Sequence, residues 1–154
     1  MNASNPMRLA LSHYLRTLRE RDEFDRLLPE LLTQMGYVPL VKPKAGVRQF
    51  GVDFPAAGRS LKDGVEELRL FVIKQGDIGR RTWSGDPNTV RESMEEIIDF
   101  WLTSHVPPEY KEHRKVIVVA TTGDLGQEVQ PNWAGFAARH PQLHFEFWGA
   151  DKES

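Results

Sequence analysis

Glu67-Leu68-Arg69-Leu70-Phe71-Val72-Ile73-Lys74-Gln75 is the stretch that decides the fold. Residues 70–73 are continuously apolar, which marks a strand covered on both faces rather than one. A lysine placed directly after such a run is costly unless its ammonium emerges at the end of the sheet or meets a carboxylate. Working back along the chain, residues 49–54 read as a strand. Ala56-Ala57-Gly58 through Asp63-Gly64 reads as a hairpin-type connection, so Gly51-Val52-Asp53 is expected on the strand beside residues 67–75. Asp53 is then the carboxylate nearest Lys74 in the pattern. A carboxylate and an ammonium at adjoining strand ends could hold a divalent metal and activate a water for phosphodiester attack, the carboxylate ligating and the lysine stabilising the developing charge. They could equally form a structural ion pair.

The rest of the chain supplies the elements around this pair. Residues 7–19 and 22–35 carry apolar positions at helical spacing; Asp22 can cap the second helix, Pro29 interrupts it and Gly36 stops it. Residues 37–41 allow only a short edge strand between Pro39 and Pro43. A glycine-rich loop over residues 76–87 leads to a helix over 90–102. A second apolar strand follows over 116–120, then a helix over 127–138, whose interior would tolerate Pro131 poorly. A strand over 143–148 alternates Leu143, Phe145 and Phe147 with His144, Glu146 and Trp148. The pattern predicts an α/β fold with a central mixed β-sheet flanked by helices.

With 154 residues, 40% hydrophobic and 27% charged, the chain fits one compact domain, set here as residues 22–154 behind a helical extension over 1–21. No cysteine is present, which removes disulfide scaffolds, thiol nucleophiles and cysteine zinc sites. The first fifteen residues lack the apolar core of a signal peptide, and no apolar run approaches membrane-spanning length; a cytoplasmic location with no membrane partner is expected. A net charge of -2 means that any nucleic-acid contact comes from a local basic patch. The abrupt stop soon after residues 143–148 predicts further domains in a longer polypeptide, and a homo-oligomer is open.

Glu23-Phe24-Asp25-Arg26-Leu27-Leu28 through Met35-Gly36-Tyr37, then Gly51-Val52-Asp53, then Phe71-Val72-Ile73-Lys74, resemble the Mrr-like branch of the PD-(D/E)XK nuclease superfamily. Residues 116–123 and 145–148 fit its distal strands. The resemblance implies a restriction-endonuclease-like domain that cleaves DNA with Mg2+ or Mn2+, often as the N-terminal effector of a bacterial anti-phage defence protein. By resemblance Asp53 matches the metal-binding aspartate, Lys74 the catalytic lysine and Asp25 an acidic position on the leading helix. Asp25 also suits a helix N-terminus by its charge alone. The pattern departs at Val72, where an acid or Gln would share the lysine's face. Glu66 lies too far back along the strand to replace it. Gln75 completes the catalytic candidates, although an unbent strand would point it to the opposite face. Asp77, folded back at Gly76, and Asp25 from the leading helix are the further candidate metal ligands, and the Ile73 carbonyl could add an oxygen.

Lys42, Lys44, Arg48, Arg80 and Arg81 flank the proposed strands and are the candidate phosphate contacts, with Gln49 available to read a base. The Glu92, Glu95, Glu96 and Asp99 series reads as a solvated helix face. The function expected is metal-dependent DNA cleavage. The alternative is a nuclease-derived module that binds nucleic acid or oligomerises without cutting.

Overall fold

A computed structural model describes residues 30–40, 51–60 and 62–149. Five strands form one mixed sheet in chain order: β1 (Val38–Pro39), β2 (Phe54–Arg59), β3 (Glu66–Lys74), β4 (Arg114–Thr121) and β5 (His144–Trp148). The β1–β2 and β2–β3 pairs are antiparallel, and the β3–β4 and β4–β5 pairs are parallel. Parallel neighbours need a crossover, and each crossover here contains helix. Between β3 and β4 lie α1 (Arg80–Trp83) and α2 (Val90–Glu96), the latter prolonged by a π-helical stretch (Ile97–Trp101) and a last turn (Leu102–Ser104). Between β4 and β5 lies α3 (Gln130–Ala138).

Alternation along the central strands divides the core into two layers. Leu68, Leu70 and Val72 of β3, with Ile117 and Val119 of β4, pack against Trp83, Val90, Met94, Ile97, Trp101 and Phe136 from the three helices. Phe71 and Ile73, with Val116, Val118 and Ala120, face the other way and meet Leu31, Leu32, Tyr37 and Trp148. The expected α/β mixed sheet flanked by helices is therefore what the chain forms. Residues 30–34 are the described end of the helix expected over 22–35; Gly36, at φ 92°, ends it with a backbone conformation that other residues seldom adopt. The proposed extension over residues 1–21 lies outside the described residues.

Two expectations are corrected. The strand placed over 49–54 lies at Phe54–Arg59, and the connection it was to precede is shortened to the turn around residues 60–65. Pro55-Ala56-Ala57-Gly58 resembles turn chemistry, yet these residues are small because the strand is crowded: a Cβ on Gly58 would sit 2.6 Å from Cδ2 of Tyr37. Pro131 is no interruption, since it occupies the first turn of α3, where its missing N–H would have had no partner.

Candidate active site

Asp53 stands where β2 begins. Its N–H donates to the Phe71 carbonyl at 2.9 Å, and its carboxylate Oδ2 accepts the N–H of Ile73 at 2.8 Å. The side chain thus takes the place of a ladder partner at the end of β3 and is tied down one residue before Lys74. The regular β2–β3 register begins with Phe54 opposite Phe71; Val52 is buried with Val72 in the helix-covered layer and Phe54 in the other, so Asp53 sits at an irregular step between the two. Val72 and Lys74 share a parity, so Lys74 leaves β3 on the helix-covered side of the sheet.

The chain reaches Asp53 through a tight approach to α2. Gly51 has φ 86°, and a Cβ there would lie 2.2 Å from the Ser93 carbonyl oxygen and 3.2 Å from Cβ of Glu96. Only glycine fits both the dihedral and the space. The contact brings Glu96 beside the Gly51–Asp53 stretch, an acid that helical periodicity alone assigns to the solvated face. The signal for it is indirect: Glu96 lies three residues after Ser93, one turn along the part of α2 on which Gly51 rests.

Lys74 is the last residue of β3 and is half-buried; its Nζ donates to the Asn88 carbonyl in the loop that precedes α2. Gln75 is exposed just beyond the strand end. Asp77 does not turn back toward Asp53. Its Oδ1 accepts the Asp124 N–H at 2.9 Å, which places the carboxylate on the β4 side of β3, whereas Asp53 is on the β2 side. The loops after β3 and β4 are stitched together here. Gly76 N–H donates to Thr122 Oγ1 at 2.8 Å, Thr121 Oγ1 donates to the Gly76 carbonyl, and Ile78 bridges Leu125.

No protein-family model matches this chain, and no curated protein does. Among solved structures the chain is similar to the MspJI restriction endonuclease in complex with a 27-mer oligonucleotide, at 16% sequence identity and a TM-score of 0.44. The similarity covers 97% of this chain and 31% of that one, so this chain spans about a third of that protein's length.

Among the described residues, the approach of Gly51 to α2 sets the acidic residue Glu96 beside the stretch that carries Asp53. Among the described residues no group of three or more His, Cys, Asp or Glu side chains is gathered to hold a metal. Two carboxylates fit a magnesium-type ion, which is commonly held by one or two of them while keeping several waters and taking substrate phosphate oxygens. They do not supply the Cys or His ligands on which zinc sites chiefly rest. Val72 is fully buried among the apolar side chains of the helix-covered layer, so the position from which a further acid is missing is a core position.

Arg80 and Arg81, expected in a loop, lie in α1 with exposed side chains. Asp25, Lys42, Lys44, Arg48 and Gln49 fall outside the described residues. Among the described residues no helix is long and apolar enough to cross a membrane.

The opposite end of β3 carries a different charge arrangement, and the apolar pattern concealed it. Arg69 is 3% exposed; its Nε donates to Glu67 at 2.8 Å and its two terminal nitrogens donate to Glu146 at 2.9 and 3.1 Å. Its guanidinium also lies over the rings of Tyr37 and Trp148, 5.8 and 5.5 Å from their centroids. Arg114 closes the chain of charges onto Glu67 and Asp63, and Trp148 Nε1 donates to Glu146 at 3.0 Å. Burial pushes the Glu146 carboxyl up, but the Arg69 hydrogen bonds and charge outweigh it and hold the group below its ordinary value. Hydrogen bonds from Arg114, and from the Val65 N–H, hold Asp63 well below the carboxylate range. These groups join β3, β4 and β5 on the face away from Lys74, and their part is structural.

Proposed function

We propose that this chain is a metal-dependent DNA endonuclease domain of restriction-endonuclease type, with Asp53 and Lys74 at its centre. The observation that carries this is the Asp53 carboxylate, fixed on the Ile73 N–H at 2.8 Å, one residue ahead of a lysine that ends a buried strand. An ion pair serving the core alone would not need its acid oriented by a backbone N–H.

Asp53 and Glu96 would hold a Mg2+ or Mn2+ ion between α2 and the end of β3. When bound, such an ion polarises a phosphoryl oxygen and makes a water more acidic. The chain's own part is positional. The backbone bond to Ile73 fixes the direction of the Asp53 carboxylate. The bond from Lys74 to the Asn88 carbonyl keeps its ammonium at the mouth of the sheet, where it would offset the negative charge that grows on a scissile phosphate. Gln75, exposed beside Lys74, would approach the substrate strand, and Asp77 braces the loop behind it. Arg80 and Arg81, with Lys42, Lys44, Arg48 and Gln49, would contact the DNA backbone and bases. By the resemblance to Mrr-like nucleases, the domain would serve as the cytoplasmic effector of a longer anti-phage defence polypeptide, with Asp25 a further acid on its leading helix.

Nicking of supercoiled plasmid with magnesium, manganese or EDTA tests the proposal, with Lys74→Ala and Asp53→Asn alongside the parent. Magnesium-dependent nicking by the parent, abolished in both variants with folding retained, is the expected result; nicking that survives in both overturns it. The buried Val72 favours a second reading, a domain that holds nucleic acid without cutting it. Oligonucleotide binding with no nicking under either metal would select that one.

A further inference from the structure

On the helix-covered side of the sheet, α1, α2 and α3 enclose an open groove of about 320 Å³, lined by Trp83, Arg91, Pro131, Asn132, Gly135 and Arg139. Two arginines from different helices face it, and they are sparsely neutralised. Arg91 pairs through Nε with Glu95 at 3.2 Å, a partly exposed contact one helical turn away. Arg139 has no carboxylate among the described residues; its guanidinium lies 5.8 Å from the Phe136 ring centroid. The Asn132 side chain makes no hydrogen bond among the described residues. The wall is stiff, because Trp83 is buried and packs edge-on against both Trp133 and Phe136.

Gly135 is the revealing residue. A glycine in the middle of a helix costs about 0.5–1 kcal/mol relative to alanine, and close packing often explains it. Here a Cβ would meet only Nη1 of Arg139, at an ordinary 3.6 Å. The packing around residue 135 does not require the glycine, whose place is on the lining of the groove.

We propose that this groove binds a phosphate group of a nucleotide or of a nucleic-acid strand. Two guanidinium groups lining one groove, Arg91 on α2 and Arg139 at the end of α3, suit the oxygens of a tetrahedral oxyanion, and Arg forks match phosphate in particular. The Asn132 amide adds a donor, and Pro131, beside the buried Trp83, offers a small apolar surface to the attached sugar. The site uses neither Asp53 nor Lys74, so it holds whether or not the chain cleaves DNA.

The test is binding in EDTA, where no cleavage occurs, followed by the side-chain resonances of Arg91, Arg139 and the Trp83 indole in labelled protein. Probes are inorganic phosphate, dAMP, a 5′-phosphorylated single-stranded oligonucleotide and a glutamate-rich peptide. Arg91→Ala/Arg139→Ala should weaken nucleotide or oligonucleotide binding about ten-fold and, for the strand, lower the salt slope by about 0.7 for one lost contact. Gly135→Leu keeps both charges, raises helix propensity and fills the groove, so it should weaken binding without loss of thermal stability. A response to dAMP alone identifies a free nucleotide as the source of the phosphate, and a response to the oligonucleotide alone a strand; either supports the site. No shift of the groove resonances with any probe, binding unchanged in Gly135→Leu, or equal binding of the glutamate-rich peptide overturns it.

Discussion

The Asp53 carboxylate accepts the backbone N–H of Ile73, so one side chain both continues the β2–β3 ladder and defines the candidate site. Charge and hydrogen-bonding capacity can therefore be separated at this residue. Asp53→Asn keeps an oxygen for the Ile73 N–H and should unfold within about 0.5 kcal/mol of the parent. Asp53→Ala leaves that N–H without its acceptor and should cost about 1–3 kcal/mol. Both should lose nicking. Denaturant midpoints beside the nicking assay check this; equal stability of the two variants would show that the hydrogen bond contributes nothing.

Val72 shares its side of the sheet with Lys74 and packs in the layer that holds Val52, one residue before Asp53. Val72→Glu buries a carboxylate that costs several kcal/mol unless a cation or the lysine offsets it. In EDTA its melting temperature should fall well below the parent's, and magnesium or manganese should recover part of the loss. A variant as stable as the parent that shows no metal-induced rise would place residue 72 away from the metal.

Acid stability should follow Glu146. Its carboxyl is held below the ordinary value when folded, so it stabilises the fold above the unfolded pKa of about 4 and ceases to do so as pH falls through the lower folded value. Glu146→Gln should be less stable than the parent at pH 7, with a gap that narrows as pH falls below about 4. Urea midpoints between pH 2.5 and 7 measure the gap. A constant difference would show that the Arg69 pair does not couple folding to protonation.

Gly58→Ala and Gly135→Ala should move stability in opposite directions. The added methyl at 58 meets the Tyr37 ring at 2.6–3.0 Å and should cost about 1–3 kcal/mol. At 135 it meets nothing closer than 3.6 Å and should raise stability by about 0.5–1 kcal/mol. Thermal melts of the two variants decide.

The central strands were legible because burial on both faces leaves an unmistakable apolar run, as at Leu70 to Ile73 and Val116 to Ala120. β2 was misplaced because Pro55 and Gly58 carry turn chemistry, and the reason for the glycine, the Tyr37 ring above it, lies 21 positions earlier in the chain. Asp53 and Lys74 could be read from the expected neighbouring strands; Glu96 could not, since its relation to them exists only through the contact of Gly51 with α2. Arg69 did leave a trace, a charge inside an apolar strand at the same parity as Phe71. Its partner Glu146 occupies the matching parity of β5, a pairing visible only once the strand order is known.

The stitching of residues 76–78 to 121–126 makes the downstream ends of β3 and β4 one mechanical piece. A load placed on Lys74 is shared with Thr121 and passed into the middle of the sheet. The yielding boundary lies on the other flank, where β2 meets a two-residue β1. Hydrogen exchange should reflect this asymmetry, with the amides of Ile78 and Gly126, each bonded to the opposite loop, exchanging more slowly than that of Leu40, which is bonded to Pro55 at the sheet margin.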